Sequence, residues 1–374
     1  MRIGLITGEY PPLQGGVSSH VAMLAHYLTH RGHQVFVFSN NRAEQQQDDI
    51  PLMNTISKWN YQTNRLVQDW VETHNLDIVN LHFQTAAYDM SPWVHFMPHN
   101  VSVPFVTTFH DLRFPYLFPK AGRLRDWIVM HLARASSGII ITNHEDLQSV
   151  KHLQSQMIPI GSSIERAIDV DSAAIRQKLG LQADDFLLAH FGFINHSKGI
   201  DTLLHAIASL NDPSIKLLMI GGRTGTADPT NATYADTVDA LMKDLGLIDQ
   251  VLWTGFVSNN EVGMYLQTAD TVVLPFRDGA SFRRSSLMAA IEQYCPIITT
   301  TPIVPIPEFT LDVMLLVEPE NVTQLATAIE TLHYEPEKRD ALQQNVQKLR
   351  QRFDWHTITS DTVQLFQTIL EQRA

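Results

Sequence analysis

Short runs of Ile, Val, Leu and Phe, apolar on both faces and separated by stretches of helical periodicity, recur along this chain and constrain it more than any other feature. Residues 2–7, 34–38, 77–81, 104–109 and 138–142 read as strands. Between the first two, Val17, Val21, Leu24, Ala25 and Leu28 share one face of a helix, and Gly32 ends it. Strands without a polar face belong in a parallel sheet covered by helices on both sides. A second series begins after residues 158–163. Its strands are expected at 186–191, 216–220, 250–254, 271–275, 296–300 and 315–317, with helices at 200–210, 234–245, 261–268, 286–294 and 322–332. Two more helices follow at 337–352 and 358–372; Val363, Phe366, Ile369 and Leu370 of the last form an apolar stripe that has to pack somewhere. The expected architecture is α/β, with two Rossmann-like doubly wound domains in tandem.

The 374 residues are enough for two domains, each with its own core. A formal net charge of −12 argues against a nucleic-acid partner, which needs a cationic surface, but leaves room for a phosphorylated ligand held by a few local cations. Cys295 is the single cysteine, so an internal disulfide and a cysteine-rich metal site are both excluded. The longest apolar stretch, 128–142, is broken by His131 and Arg134 and falls short of a membrane span. Met1 and Arg2 lead directly into the first strand without the apolar core of an export signal, so a cytoplasmic location is expected.

Ligands of doubly wound sheets bind beyond the carboxyl ends of the strands, and with two such units also between them. The loop after the first strand contains Gly15-Gly16, which makes either a tight turn or a backbone approach to an anion at a helix start. The equivalent loop of the second domain carries Lys198-Gly199, either a solvated lysine or a phosphate contact. The loop 274–286 is the richest. Ser285 is expected as an N-cap, with the amides of Ser286 and Leu287 facing outward and Arg283 and Arg284 adding charge. That combination suits a diphosphate better than pairing of the arginines with Asp278. His110 ends a strand, where it serves either structure or a ligand hydroxyl or proton. His20, His82, His99 and His144 are read as structural, and no metal site is expected. Asp171 or Ser172 is expected to cap a helix rather than bind Mg²⁺, and Cys295 to be a small buried hydrophobe.

In order and spacing these loops resemble glycosyltransferase family 4, retaining transferases of GT-B fold that use nucleotide sugars. The resemblance is carried by Tyr10-Pro11-Pro12, Gly15-Gly16, Gly32-His33-Gln34-Val35, Thr108-Phe109-His110-Asp111, Lys198-Gly199, Gly221-Gly222, Thr254-Gly255-Phe256-Val257, Ala269-Asp270, Pro307-Glu308 and Phe353-Asp354-Trp355. It implies an acceptor-side domain at 1–163, onto which a final helix at 356–374 crosses back, and a donor-binding domain at 164–355. It implies that His110 contacts the transferred sugar and that Lys198 neutralises the diphosphate, and the loop reading adds Arg284 to these catalytic candidates. Gly15, Gly16, Lys198, Gly222, Phe256 and Val257 on the resemblance, with Arg283, Arg284, Ser285 and Ser286 on the loop reading, would bind the donor. The implied substrate is a nucleoside diphosphate sugar, used without a cofactor or metal. The acceptor is a hydroxyl on a glycan, a lipid-linked molecule or a small molecule.

The chain departs from the family pattern in two places. Phe193 stands where an arginine is usual, and the Glu-x7-Glu pair is replaced by Ser281 and Ala289. Alanine accepts no hydrogen bond and serine carries no charge. Glu292, one turn beyond Ala289, is read as an exposed surface residue rather than a substitute. The favoured reading is a rebuilt transferase site in which Arg283, Arg284, Ser285 and Ser286 take the diphosphate. The alternative is an inactive relative that binds a nucleotide or glycan. The segment from Arg113 to Lys120, with Arg123, Leu124, Arg125 and Trp127, mixes aromatics with cations and serves either peripheral membrane contact or acceptor-side packing.

Overall fold

The computed structural model describes the chain except residues 14, 48, 113–121, 224–228 and 374. Two compact units are present, Met1–Gly161 joined by Asp354–Ala374, and Ser162–Phe353. The aromatic and cationic segment 113–120 lies outside the described residues.

The first unit is a seven-stranded parallel sheet. Its strands are β1 (Arg2–Thr7), β2 (Gln34–Asn40), β3 (Leu52–Ile56), β4 (Ile78–Phe83), β5 (Phe105–Phe109), β6 (Gly138–Ile141) and β7 (Ser155–Met157), in the order β3-β2-β1-β4-β5-β6-β7. Helices α1 (Gly16–His30), α2 (Tyr61–Thr73), α3 (Gly122–Ala135) and α4 (His144–Val150) connect them. Alternate side chains of each strand feed two cores. Ile3, Leu5, Val35, Val37, Ile78 and Val106 face α1, whereas Phe36, Phe38, Val79, Leu81, Phe105 and Phe109 pack with Val67 and Trp70 of α2 and Leu132 of α3. Burial on both faces is what the unbroken apolar runs required.

The second unit has six strands: β8 (Phe186–Phe191), β9 (Ile215–Ile220), β10 (Val251–Trp253), β11 (Thr271–Leu274), β12 (Ile297–Thr300) and β13 (Leu315–Val317), in the order β10-β9-β8-β11-β12-β13. Its helices are α5 (Ser172–Lys178), α6 (Ile200–Leu210), α7 (Pro229–Asp244), α8 (Asn259–Thr268), α9 (Ser285–Glu292), α10 (Val322–Tyr334) and α11 (Pro336–Arg350). Helix α12 (Trp355–Glu371) packs on α1 of the first unit; Phe366 and Ile369 of its apolar stripe enter the core beside Val21 and Ile140.

Helices α2, α3 and α4 and strands β3 and β7 are absent from the sequence reading. Strands β3 and β7 are edge strands with mostly half-exposed residues, so they carry no continuous apolar run. Helix α2 is largely polar, and its start is fixed by an Asn60–Thr63 capping box. Among the described residues no helix is long and apolar enough to cross a membrane.

Candidate active site

In both sheets the strand order reverses at one point, between β1 and β4 and between β8 and β11. Loops at the carboxyl ends of those strands diverge there and leave room for a ligand.

In the second unit, residues His196–Lys198 form one 3₁₀ turn after β8, closed by Gly199 in the left-handed region at φ 64°. A Cβ on Gly199 would stand 2.1 Å from the Pro275 carbonyl oxygen, so only glycine lets this turn lie against the end of β11. The turn delivers Lys198, whose Nζ donates to Ser286 Oγ at 2.9 Å and lies 5.2 Å from the centre of the buried Phe276 ring. The Arg284 guanidinium covers the same ring at 4.7 Å and pairs with Asp278. Burial, followed by the neighbouring charge of Arg284, pulls the Lys198 ammonium down to about 8, against a raising pull from Asp278. Two cations thus share one ring and one carboxylate at the start of α9. An anion placed there relieves their repulsion and gains charge-assisted hydrogen bonds.

Two details differ from the sequence reading of this loop. Ser285 is the first helical residue and not the cap: Arg284 holds the cap position without a side-chain cap bond, and the Leu287 amide donates back to the Arg284 carbonyl at 2.9 Å. The outward amide expected of Leu287 is therefore spent inside the turn. Arg284 does pair with Asp278, as cations do when their nearest carboxylate is within reach. Arg283 is half-buried and engaged with neighbours of its own.

Neighbouring loops complete this edge. Gly221 is held by Thr254 Oγ1 at 3.1 Å and by a bridge to Gly255, which ties the loop after β9 to the loop after β10. Phe193, in the place of the usual arginine, packs over Gly222. Phe256 is 77% exposed and Val257 half-buried.

Ala289 is fully buried in α9 and Ser281 half-buried before it. Glu292 is not the exposed residue expected. It is 7% exposed and makes a bidentate pair with Arg350 of α11 at 2.8 and 2.9 Å, because α9 is covered by α11 on that face. Its carboxylate is committed to Arg350. Asp171 accepts from the Ala174 amide as the cap of α5. Cys295 is buried with its thiol pushed up to about 12, and it donates to the Leu266 carbonyl. A polar hollow of about 530 Å³ lies at the opposite, amino ends of β8 and β11, where Arg176 ties Asp270 at 3.2 Å; its position is wrong for a switch-point ligand.

In the first unit, Gly15 occupies the cap position of α1 without a side-chain cap, and a Cβ there would stand 2.6 Å from Glu9 Oε2. The Glu9 carboxylate packs against this position, and its flexible side chain would have to turn aside for any larger residue there. Burial raises the Glu9 carboxyl above its ordinary range, offset in part by Arg42. Gly16 is open, with no atom within 4 Å of its missing Cβ.

His110 follows β5, and its amide donates to the Phe83 carbonyl at 3.0 Å. Its ring meets two histidines that the sequence assigned to structure alone. His82, near the end of β4, shares a hydrogen with it, His82 Nδ1 to His110 Nε2 at 3.2 Å. His20 of α1 stands edge-on at 4.9 Å between ring centres. Trp355 of α12 packs on His20 at 5.3 Å. All three histidines are at most 5% exposed. Burial holds His20 down to about 4; burial with the His20 and His110 rings holds His82, and burial with the His20 ring holds His110, well below the ordinary value, so all three are neutral near pH 7. They offer one nitrogen each within 4.8 Å of one another, the one such group with metal-ligand reach among the described residues. Nothing local in the sequence marks this trio. The available clue was positional: His82 and His110 sit at the carboxyl ends of neighbouring strands, and His20 one turn into the helix after β1.

Comparison with known proteins identifies the family. The family described as Glycosyl transferases group 1 matches residues 171–349, and Glycosyltransferase Family 4 matches residues 14–160. The chain is similar to an alpha-monoglucosyldiacylglycerol synthase of Streptococcus pneumoniae, 24% identical over 298 residues, which are 72% of this chain and 65% of that protein. It is 20% identical to an uncharacterized glycosyltransferase of Methanocaldococcus jannaschii, across 99% of both chains. Among solved structures it is similar to Anabaena Alr3699/HepE in complex with UDP, with a TM-score of 0.81, 19% identity, and coverage of 98% of this chain and 100% of that one.

Proposed function

The chain belongs to the glycosyltransferases of family 4, and from that premise we propose that it moves a sugar from a nucleoside diphosphate donor to a hydroxyl acceptor with retention of configuration. The observation that carries the proposal is the pair of cations, Lys198 and Arg284, set over Phe276 at the start of α9. Breaking the bond between the anomeric carbon and the phosphate oxygen leaves negative charge on the departing diphosphate. Preorganised positive groups lower that barrier more than they lower the energy of the bound sugar nucleotide.

In this reading Lys198 is already desolvated and close to its titration point, so the diphosphate meets a cation whose charge it stabilises. Arg284 leaves Asp278 for the phosphate, a small cost because Asp278 is exposed. Ser285 and Ser286 take phosphate oxygens at the helix start, with Arg283 beside them. The backbone of Phe256 and Val257 holds the base, Gly222 gives the nucleotide close access, and His110 contacts the transferred sugar. Gly15 and Gly16 admit the reacting partner near α1, where the Glu9 carboxylate favours a hydroxyl over a phosphate. The same groups make a metal unnecessary. UDP in the complex named above supports a nucleotide donor of this kind.

The test is isothermal calorimetry against UDP, GDP and ADP, followed by nucleotide release from the matching sugar donors with a panel of hydroxyl acceptors. Expected is one nucleoside diphosphate bound at 1:1 and release that needs donor and acceptor together. Binding without release across the panel would replace the transferase by the inactive relative.

A further inference from the structure

The three-histidine cluster holds a problem of proton placement. His82 Nδ1 and His110 Nε2 stand 3.2 Å apart, and in neutral rings one of these nitrogens carries the shared hydrogen and the other is bare. If His110 Nε2 donates, the proton of His82 moves to its Nε2. That nitrogen is buried and has no hydrogen-bond partner among the described residues. If His82 Nδ1 donates, its Nε2 is bare, and the proton of His110 lies on Nδ1. His110 Nδ1 is not among the buried nitrogens left without a partner, and His110 keeps 5% of its surface exposed against none for His82. A buried orphan N–H costs more than a bare ring nitrogen. The second arrangement wins.

We propose that His82 is a positioning residue: by donating from Nδ1 it fixes His110 as the Nδ1–H tautomer, so that His110 offers a donor to an acceptor oxygen of the bound sugar. The use of that donor rests on the reading of the site given above; the tautomer itself does not. His20, edge-on to His110, adds no hydrogen bond to this pair among the described residues and packs the ring from the helix side. The arrangement gives His82 a purpose that its place in a buried strand would not otherwise need, since an apolar side chain would fill the same space.

The test uses the full chain labelled with ¹⁵N-histidine. Long-range ¹H–¹⁵N spectra report the tautomer, with His110 assigned by its loss in His110→Gln. Expected are Nδ1–H at His110 in the wild type, a shift toward Nε2–H in His82→Leu, and return of Nδ1–H in His82→Asn, whose amide can donate from the same position. Donor turnover (kcat/KM) should fall about tenfold in His82→Leu, with nucleoside diphosphate affinity within about twofold and most of the activity recovered in His82→Asn. Nε2–H at His110 in the wild type overturns the proposal even if His82→Leu fails to fold. So does an unchanged tautomer in a folded His82→Leu, or a stoichiometric Zn²⁺ that survives dialysis and is lost with His82, because His110 Nε2 would then be a metal ligand. Nδ1–H at His110 in a wild type without donor-dependent transfer would instead overturn the functional reading.

Discussion

The two units wind their sheets in the same order and leave a switch point at the same place, yet they fill it with opposite chemistry. Beyond β4 and β5 the first gathers neutral imidazoles, kept uncharged by burial. Beyond β8 and β11 the second gathers an ammonium and a guanidinium over one aromatic ring. The fold supplies the position, and a handful of side chains decide what is bound there. A neutral polar surface suits hydroxyl groups, and a cationic one suits an anion.

The largest expected effect separates structure from site within the second unit. Glu292→Gln should lower stability by about 3 kcal/mol in denaturant titration, as for a broken buried ion pair, with nucleoside diphosphate affinity unchanged. A loss of affinity without loss of stability would return Glu292 to the ribose. Next come Lys198→Ala and Arg284→Ala, each expected to weaken diphosphate binding by about 1–3 kcal/mol in calorimetry. His110→Ala should change that affinity by less than about 0.5 kcal/mol while lowering transfer. Equal losses in all three would erase the distinction between the units.

The pH response should diverge as well. With Lys198 at about 8, diphosphate affinity should fall as pH rises through 8 and the ammonium is lost. The histidines act at the other end. Their folded values lie below the unfolded value, near 6.5, so the unfolded chain takes up protons first and stability falls as pH drops from about 6.5 toward 4. His20, His82, His95 and His110 load this penalty on the first unit, against His190 in the second, so acid melting monitored by Trp355 should precede loss of the second unit. Simultaneous loss would count against it. A small effect of opposite sign is expected of Asp278→Asn, which frees Arg284 and should tighten diphosphate binding by up to about fivefold, the scale of an exposed ion pair.

The interior of both sheets was legible because central strands are written as uninterrupted apolar runs. Strands β3 and β7 were not, because these edge strands carry polar, mostly half-exposed residues, whereas the edge strands β10 and β13 kept short apolar runs. The turn that presents Lys198 was legible through the glycine that follows it, Gly199, whose left-handed backbone is a local demand. The convergence of His20 and His82 on His110 was not, because it depends on strand order and not on spacing along the chain. The pairing of Arg284 with Asp278, and of Glu292 with Arg350, turned on which element covers which, a choice made by packing after the elements exist.

Helix α12 gives the molecule an unusual timetable. Its side chains lie beneath β6, where Ile369 approaches Gly138, and beside α1, where Trp355 touches His20. A ribosome therefore finishes the whole second unit before it releases the piece that closes the first. The half that emerges earliest has to wait with an apolar flank uncovered, and a chaperone or a stalled nascent chain would find it there.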